Sequence, residues 1–472
     1  MLFRSRRQYY TQLAKVKTEQ EAQYVEDRWQ VADNVLLSIG LRNEQFTNYT
    51  GSNEAYIRQR HQLAPRLGAA WDVHGDSSLK LFGNAGRYHL ALPNNVAVRA
   101  ASASLYTQEY FTYTGVDPVT GAPQGKVSIG NVYSPNNEYG VPPDARVIAS
   151  KDIRSNTQDE FAIGFEKALG SEYVAGMRFN YRKLVSSIDD VSDTRPFKSH
   201  MTAAEYDYFA GNWGGSLFNP GQDNTFIVPV GETVVNGKTV QTMKEVAIKW
   251  SEWGFPEGLK RNYMALDFSL EHPMRNGWYG KVTYTLAKST GNTEGQQKSD
   301  NGQADVGFTS VWDFPEIMIN GSGPLPNMRR HQIKAMGVYE LSDQFSVSGN
   351  ALLASGRPRS CSATLPVDQD PAHLSSGYGS IFYVCKDAPG RGGLGFLPWE
   401  TRLDLALMYK PNWLKGLTLK AEVFNVFDKQ TITAVNEAYN AASGARSALY
   451  QMEQNYTAPR AVTFSAQYNH KF

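Results

Sequence analysis

The chain holds two cysteines, Cys361 and Cys385, 24 residues apart in one loop-like stretch. Two thiols exclude a disulfide-dense scaffold and a four-cysteine zinc site. A tetrahedral metal centre would need two further ligands, and only His373 lies between them. If this loop faces outward, it meets oxidising conditions, and the pair reads as a disulfide that would contribute ~3 kcal/mol by loop entropy. Two unpaired thiols are the alternative. Gly390-Arg-Gly-Gly-Leu-Gly395 has the glycines of a phosphate loop but no strand-to-helix unit and no following Gly-Lys-Ser/Thr, so it reads as flexible loop. Asp189-Asp190 has the form of paired acids, but at a strand's outer end it reads as solvated loop carboxylates. Asn236-Gly-Lys-Thr239 reads as a hairpin turn within a loop. The eight histidines are scattered, with no His-Glu-x-x-His and no Gly-x-Ser-x-Gly. No catalytic residues, metal or cofactor are expected.

Between the ordered segments, aromatics accumulate: Tyr106, Tyr110, Phe111, Tyr113, Tyr133, Tyr139, Tyr206, Tyr208, Phe209, Trp213, Trp250, Trp253, Trp312 and Phe314. Tyrosine and tryptophan offer broad apolar faces with a polar tip, suited to stacking on sugars or binding peptides. Tyr110, Tyr113, Tyr139, Trp213, Trp253 and Trp312 are the candidate ligand contacts. The plainer alternative is that these rings pack the loops against one another.

The elements that carry these loops are strands. From Arg460 to Phe472, Val462, Phe464, Ala466, Tyr468, His470 and Phe472 form one row, and Ala461, Thr463, Ser465, Gln467, Asn469 and Lys471 form the other. Period-two alternation puts the two rows in different media. A run of this length exceeds the usual ~5–6 residues of a soluble strand and suits the ~9–11 that cross a bilayer. The same pattern recurs backwards in hairpins. Leu403, Leu405 and Leu407 oppose Arg402 and Asp404; Leu266, Phe268 and Leu270 oppose Asp267 and Glu271; Phe161, Ile163 and Phe165 lead to a turn near Gly170. About thirteen strands result, the first over roughly Glu21 to Val31 with no register that its charges fix. Every second connection is short; the others span roughly 43–62, 92–155, 190–261, 289–329, 356–400 and 430–458. Short turns on one rim, long loops on the other and charges on the inner row describe a membrane barrel more closely than a sandwich. Trp278, Tyr279, Tyr409, Trp413, Tyr468 and Phe472 fall near the short-turn rim, as an interfacial girdle would.

Composition agrees. With 47 Lys plus Arg against 46 Asp plus Glu, the net charge of +1 gives no support to a nucleic-acid partner. Hydrophobic content is 41% and aromatic content 12%, and no run approaches the ~18 apolar residues of a transmembrane helix. Arg4, Arg6 and Arg7 precede no apolar stretch, so no secretory signal is recognised at the start of the sequence.

The last strand, with Phe464, Tyr468 and Phe472 in phase, resembles the carboxyl-terminal assembly signal of bacterial outer-membrane barrels. Glu422-Val-Phe-Asn-Val-Phe-Asp428 resembles the penultimate-strand motif of TonB-dependent receptors. Glu26-Asp-Arg-Trp29 with Leu36–Arg42 looks like a mid-barrel hairpin of that family. Leu63–Val73, Lys80–Tyr88 and Asn136-Asn-Glu-Tyr-Gly140 resemble its Oar-like subgroup. The likeness runs from about residue 20 onward.

The resemblance implies an all-β, antiparallel transmembrane barrel, 22-stranded when whole, with short periplasmic turns and long extracellular loops in a Gram-negative outer membrane. This chain would supply its last thirteen strands over 17–472, with 1–16 a loop-derived or non-native start; the plug and TonB-binding segment would belong to a longer chain. The implied activity is TonB-energised import of a solute bound at the surface. The implied partners are outer-membrane lipid, the barrel assembly machinery, TonB through the missing segment and an unidentified surface ligand. A surface adhesion or secretion-related barrel is the alternative, and a soluble carbohydrate-binding β-protein a more distant one.

Overall fold

A computed structural model describes residues 3–470 apart from 13, 136–137, 236, 300–301, 304, 371, 386–387, 389 and 442–443. Phe472, Lys471, Asn136, Asn137 and Asn236 lie outside the described residues. Thirteen long strands form one antiparallel path in strict sequence order, joined at the eighth by the two-residue Gly323–Pro324 segment to make a fourteen-stranded sheet. They are β1 (Lys17–Ala32), β2 (Val35–Tyr49), β3 (Ala55–Asp72), β4 (Leu79–Leu90), β5 (Asn156–Leu169), β6 (Tyr173–Ser186), β7 (Arg261–Arg275), β8 (Trp278–Gly291), β9 (His331–Glu340), β10 (Phe345–Ala354), β11 (Glu400–Tyr409), β12 (Leu417–Phe424) and β13 (Ala461–Tyr468). Among the described residues β1 pairs only with β2, and β13 only with β12.

Register converts the alternation into continuous rows. Trp71, Leu81, Phe165, Met177, Phe268, Tyr284, Ile333 and Leu353 lie side by side across eight strands. Further rows run parallel to it: Ile163, Phe179, Leu266 and Leu286 above, Ala175, Leu270, Val282, Ala335, Ala351 and Leu403 below. Among the described residues, none covers this face. Leu67 is 54% exposed, Ile163 53% and Phe464 78%, while the buried apolar clusters form in the loops and the strand ends that lead into them. An apolar face of this extent left bare by the fold requires an apolar medium.

The opposite face is polar and cross-strand paired. Arg182 Nε donates to Glu160 Oε2 (2.8 Å) and Lys281 Nζ to Glu271 Oε2 (2.8 Å); Asn180 Nδ2 and Thr285 Oγ1 both donate to Asp267. Above the apolar rows the outward face changes character: Arg87, Asp159, Lys183 and Asn262 stand in one row, with Arg87 gripping Asp159 through two bonds of 2.7 and 2.8 Å. At the short-turn rim Tyr173, Trp278, Tyr339, Phe345, Tyr409 and Trp413 form the aromatic border, with Phe345 stacked on Tyr409 at 4.6 Å. Tyr279 is not part of it. The Asn276-Gly277 turn, with φ of 52° and 77°, fixes the β7–β8 register so that Trp278 faces out and Tyr279 in.

The expected loop at 43–62 is instead an extension of the β2–β3 hairpin, closed by 50–54. Its alternation fails at a register shift between Glu44 and Phe46, where the strands leave the two-faced environment. β1 acquires the register that its sequence left open, with Trp29 opposite Leu37 and Arg28 opposite Ser38.

Replacing Phe268 in the outward rows by Arg should destabilise the refolded barrel by about 2–4 kcal/mol. Ser348→Arg on the inner face should be nearly neutral. Urea midpoints of gel mobility in lipid vesicles would measure both.

Candidate functional site

All the large connections, 91–155, 187–260, 292–330, 355–399 and 425–460, leave from the rim opposite the short turns. Their apolar residues bury one another. Phe197, Phe209, Phe218, Phe226, Trp253, Phe255 and Trp312 form the centre of the largest cluster, uniting 187–260 with 292–330. Helix α1 (Ala203–Asn212) enters it with Phe209; its Thr202 hydroxyl accepts from the Glu205 amide, and the Glu205 carboxylate accepts from the Thr202 amide. The hairpin of Asn224–Val235 and Lys238–Ile248 supplies Phe226, Val228, Val246 and Ile248; its turn falls at 236–237, with Asn236 outside the described residues.

The candidate aromatics divide in two. Trp312 is fully buried, Trp253 is 2% exposed, and Trp213 packs at the cluster's edge within 5.2 Å of Phe197. Trp253 and Trp312 offer no ring face to a ligand in this arrangement, because rings this large repay removal from water wherever several loops converge. Tyr110 and Tyr113 instead lie on a strand, Leu105–Tyr113, that pairs with Phe3–Thr11 at the start of the chain. Tyr139 bridges to Leu105 beside them and is 50% exposed. Cys361 and Cys385 are joined in a disulfide with Cα atoms 5.9 Å apart. It lies in a small cluster with Ala363, Ala388, Tyr439 and Tyr450 that ties 355–399 to 425–460. Arg357 reinforces that tie, donating to Glu437 Oε1 (2.9 Å) and the Thr433 carbonyl (3.0 Å). Phe464 and Tyr468 face outward on β13.

Asp189 is not solvated, and Asp190 is half-buried. Asp189 is 1% exposed, accepts from the Thr309 hydroxyl (2.8 Å) and lies near Asp313, which accepts from the Tyr378 hydroxyl (2.7 Å). Sequence spacing gave no sign of this, since the acids come from two loops and the tyrosine that bonds Asp313 from a third. Burial pushes Asp189 up to about 8, against the help of Thr309, and pushes Asp190 well above the usual range, with Asp313 and Asp189 adding to it. Arg195, on the same connection, is occupied by Asp193 and Glu316 at 2.7 Å each. Among the described residues no group of three His, Cys, Asp or Glu is placed to hold a metal ion.

Below the loops, the inner wall of β1–β4 holds a cavity of about 350 Å³. Gly40 and Gly68 leave its floor bare; Tyr24, Glu26, Arg42, Arg66, Asn84 and Tyr88 line it. Arg66 lies over the Tyr88 ring at 4.8 Å, whereas Arg42 donates to Glu44 and Arg28 to Glu26. Its lining offers hydrogen-bonding groups, charges and a tyrosine ring, and no paired nucleophile and base stands among these residues.

A bare apolar belt, an ion-paired interior and loops confined to one rim define an integral outer-membrane barrel. The chain belongs to the outer membrane beta barrel domain family, whose model matches residues 47–355, and resides in the Gram-negative outer membrane. It is similar to the TonB-dependent transporter Oar of Myxococcus xanthus, 25% identical over 456 residues that cover 91% of this chain and 37% of that protein. The chain thus spans little more than a third of that relative's length. Among solved structures, the outer membrane transporter YddB from Escherichia coli matches with a TM-score of 0.52 at 13% identity, covering 96% of this chain and 45% of that one. The FrpB iron transporter from Neisseria meningitidis (F3-3 variant) matches with 0.50 at 10%, covering 96% and 46%. Both support the fold, and the relatives named are transporters rather than enzymes.

Two outcomes follow from the loop geometry. Between its ordinary value of 3.8 and about 8, the packed Asp189 holds a proton that the unpacked loop has released, so loop stability falls as pH rises across that window. Proteolysis within 187–260 should therefore accelerate from pH 6 to pH 9, corrected for protease activity, and Asp189→Asn should make the profile shallower, with the raised Asp190 carrying the remainder. Replacing both cysteines by Ala should remove ~3 kcal/mol of loop constraint, seen as faster cleavage within 355–399 with the heat-modifiable gel shift retained.

Proposed function

We propose that this chain is the C-terminal part of the barrel of an Oar-like TonB-dependent receptor, which binds a solute at the cell surface and imports it with energy delivered through TonB. Residues 17–472 supply the thirteen strands, and a plug on the longer protein completes the passage. The observation that carries the reading is the inner wall: many of its charges are paired, across strands as in Arg182–Glu160 or along one strand as in Arg42–Glu44, and the Arg66–Tyr88 cavity opens where a solute descending from the loops would pass. Similarity to a TonB-dependent transporter along 91% of the chain supports it. The loops, with Tyr110, Tyr113 and Tyr139 at their outer surface, choose the solute. The partners are outer-membrane lipid, the assembly machinery acting on the β13 aromatics, and TonB through the plug-bearing segment.

Comparing spent culture media tests this. A solute removed by cells carrying the complete gene should remain when either that gene or tonB is deleted. If deletion of the gene changes cell attachment or secretion but no solute uptake, the import reading fails in favour of an adhesion or secretion barrel.

A further inference from the structure

The outward face of β6–β8 changes chemistry at one level. Lys183 and Lys288 stand on it 13 and 11 residues beyond Gly170 and Gly277, the positive-φ glycines of the short turns. About 9–11 residues carry a strand across hydrocarbon, so both ammonium groups emerge where the apolar medium gives way to lipid headgroups. On the same face toward the short turns, Phe161, Met264 and Leu286 are exposed.

Register gathers the polar groups around one residue. Lys183 is directly opposite Asn262, and Asn262 is directly opposite Thr290. Lys288, two residues before Thr290, is therefore the diagonal neighbour of Asn262. Directly opposed residues stand about 5 Å apart and diagonal ones about 7 Å, so two lysine stems can close over Asn262 from either side. The Asn262 Oδ1 accepts from the Tyr181 hydroxyl (3.2 Å), which leaves its amide nitrogen to donate elsewhere.

Neither lysine is neutralised. Both are exposed, and among the described residues no carboxylate forms an ion pair with Lys183 or Lys288. Asp159, opposite Lys183, is gripped by Arg87 through both oxygens, which leaves that row one positive charge in excess. Glu257, on the connection that enters β7, accepts from Lys260 (2.9 Å) and from Ser322. The other lysine of β8, Lys281 on the inner face, is held by Glu271. Two compact cations with an amide and a hydroxyl between them match a phosphate monoester, which carries about −1.5 to −2 charge at neutral pH and three acceptor oxygens. The apolar wall beside them matches acyl chains.

We infer that Lys183 and Lys288, with Asn262 and Thr290 between them, form a site on the outside of the barrel for the phosphate monoester headgroup of an outer-leaflet lipid, whose chains lie on Phe161, Met264 and Leu286. A soluble phosphate would leave the apolar wall unused, and the wall is continuous with the rows that already require lipid. The inference rests on the outward rows facing lipid and on the long-loop rim facing outward, both part of the proposed reading, and it holds whether or not the barrel imports a solute.

The full chain, refolded in detergent, is to be mixed with lipid A bearing two phosphate monoesters, with phosphatidylglycerol, a diester, or with phosphatidylcholine, and the retained lipid read by native mass spectrometry. Lipid A should be retained, phosphatidylglycerol about tenfold more weakly for its single charge, and phosphatidylcholine not at all. Lys183→Gln and Lys288→Gln should each weaken lipid A about tenfold, the loss of one charge-assisted contact. Lys288→Arg should keep it, and Lys334→Gln on the inner face should leave it unchanged, with the same heat-modifiable gel shift in every variant. No retention of lipid A by a chain that shows the gel shift, equal retention of phosphatidylcholine, glutamine variants that bind as the parent does, or release of lipid A by millimolar inorganic phosphate would each overturn the site while leaving the barrel standing. A chain with no gel shift in any lipid removes the barrel reading and the site together.

Discussion

Hydrocarbon offers no partner to a backbone amide, and this single deficit dictates the rest of the molecule. Each peptide group inside the bilayer must bond to a neighbouring strand, so the chain can cross only as a ladder of hairpins. A ladder has two faces, and residue identity on alternate positions follows from what each face touches. The row from Trp71 to Leu353 and the bonded set around Asp267 are the two answers to one requirement. The same requirement bears on β1 and β13, each bonded along one side only. Within a membrane an unpaired strand edge is costly, and such edges call for a pairing partner.

Past the outer rim water returns, and with it ordinary globular folding. The loops make aromatic cores, a capped helix, a hairpin and a disulfide, the devices a small soluble domain would use. They make them across loop boundaries. Trp312 from one connection fills space beside Trp253 from another, and Arg357 and the cystine fasten a third to a fourth. The mouth of the barrel is therefore built by contacts between loops, and the buried acids Asp189 and Asp313 lie where three of them meet.

What the sequence disclosed follows the same division. In the spanning strands two media impose a strict period, and the thirteen strands, their order and the border residues Trp278, Tyr409 and Trp413 are readable from spacing. Tyr279 is the instructive exception: proximity to the rim was legible, but facing depends on a register that the Asn276-Gly277 turn sets by one residue. Outside the bilayer the period lapses. Residues 43–62 stay extended without alternating, so they read as loop. Asp189-Asp190 read as solvated because the threonine and tyrosine that enclose them arrive from residues 309 and 378. The sheet of Phe3–Thr11 and Leu105–Tyr113 was invisible for the same reason, since its first strand lies about a hundred residues before its second. Candidate aromatics were found by type, but only tertiary packing sorts Trp253 and Trp312, which hold the loops, from Tyr139, which is exposed.

The row of Arg87, Asp159 and Lys183 stands one two-residue step above Phe161, and Trp278, Tyr339 and Tyr409 close the belt below. Ions at one boundary and amphipathic rings at the other act as stops in opposite directions. Sinking by a single step would drag a guanidinium and an ammonium into acyl chains, and rising would pull indole and phenol tips away from the headgroups they prefer. The barrel is thus pinned at one immersion depth. Neighbouring lipids have to stretch or thin to meet it, which favours membrane patches whose thickness already matches.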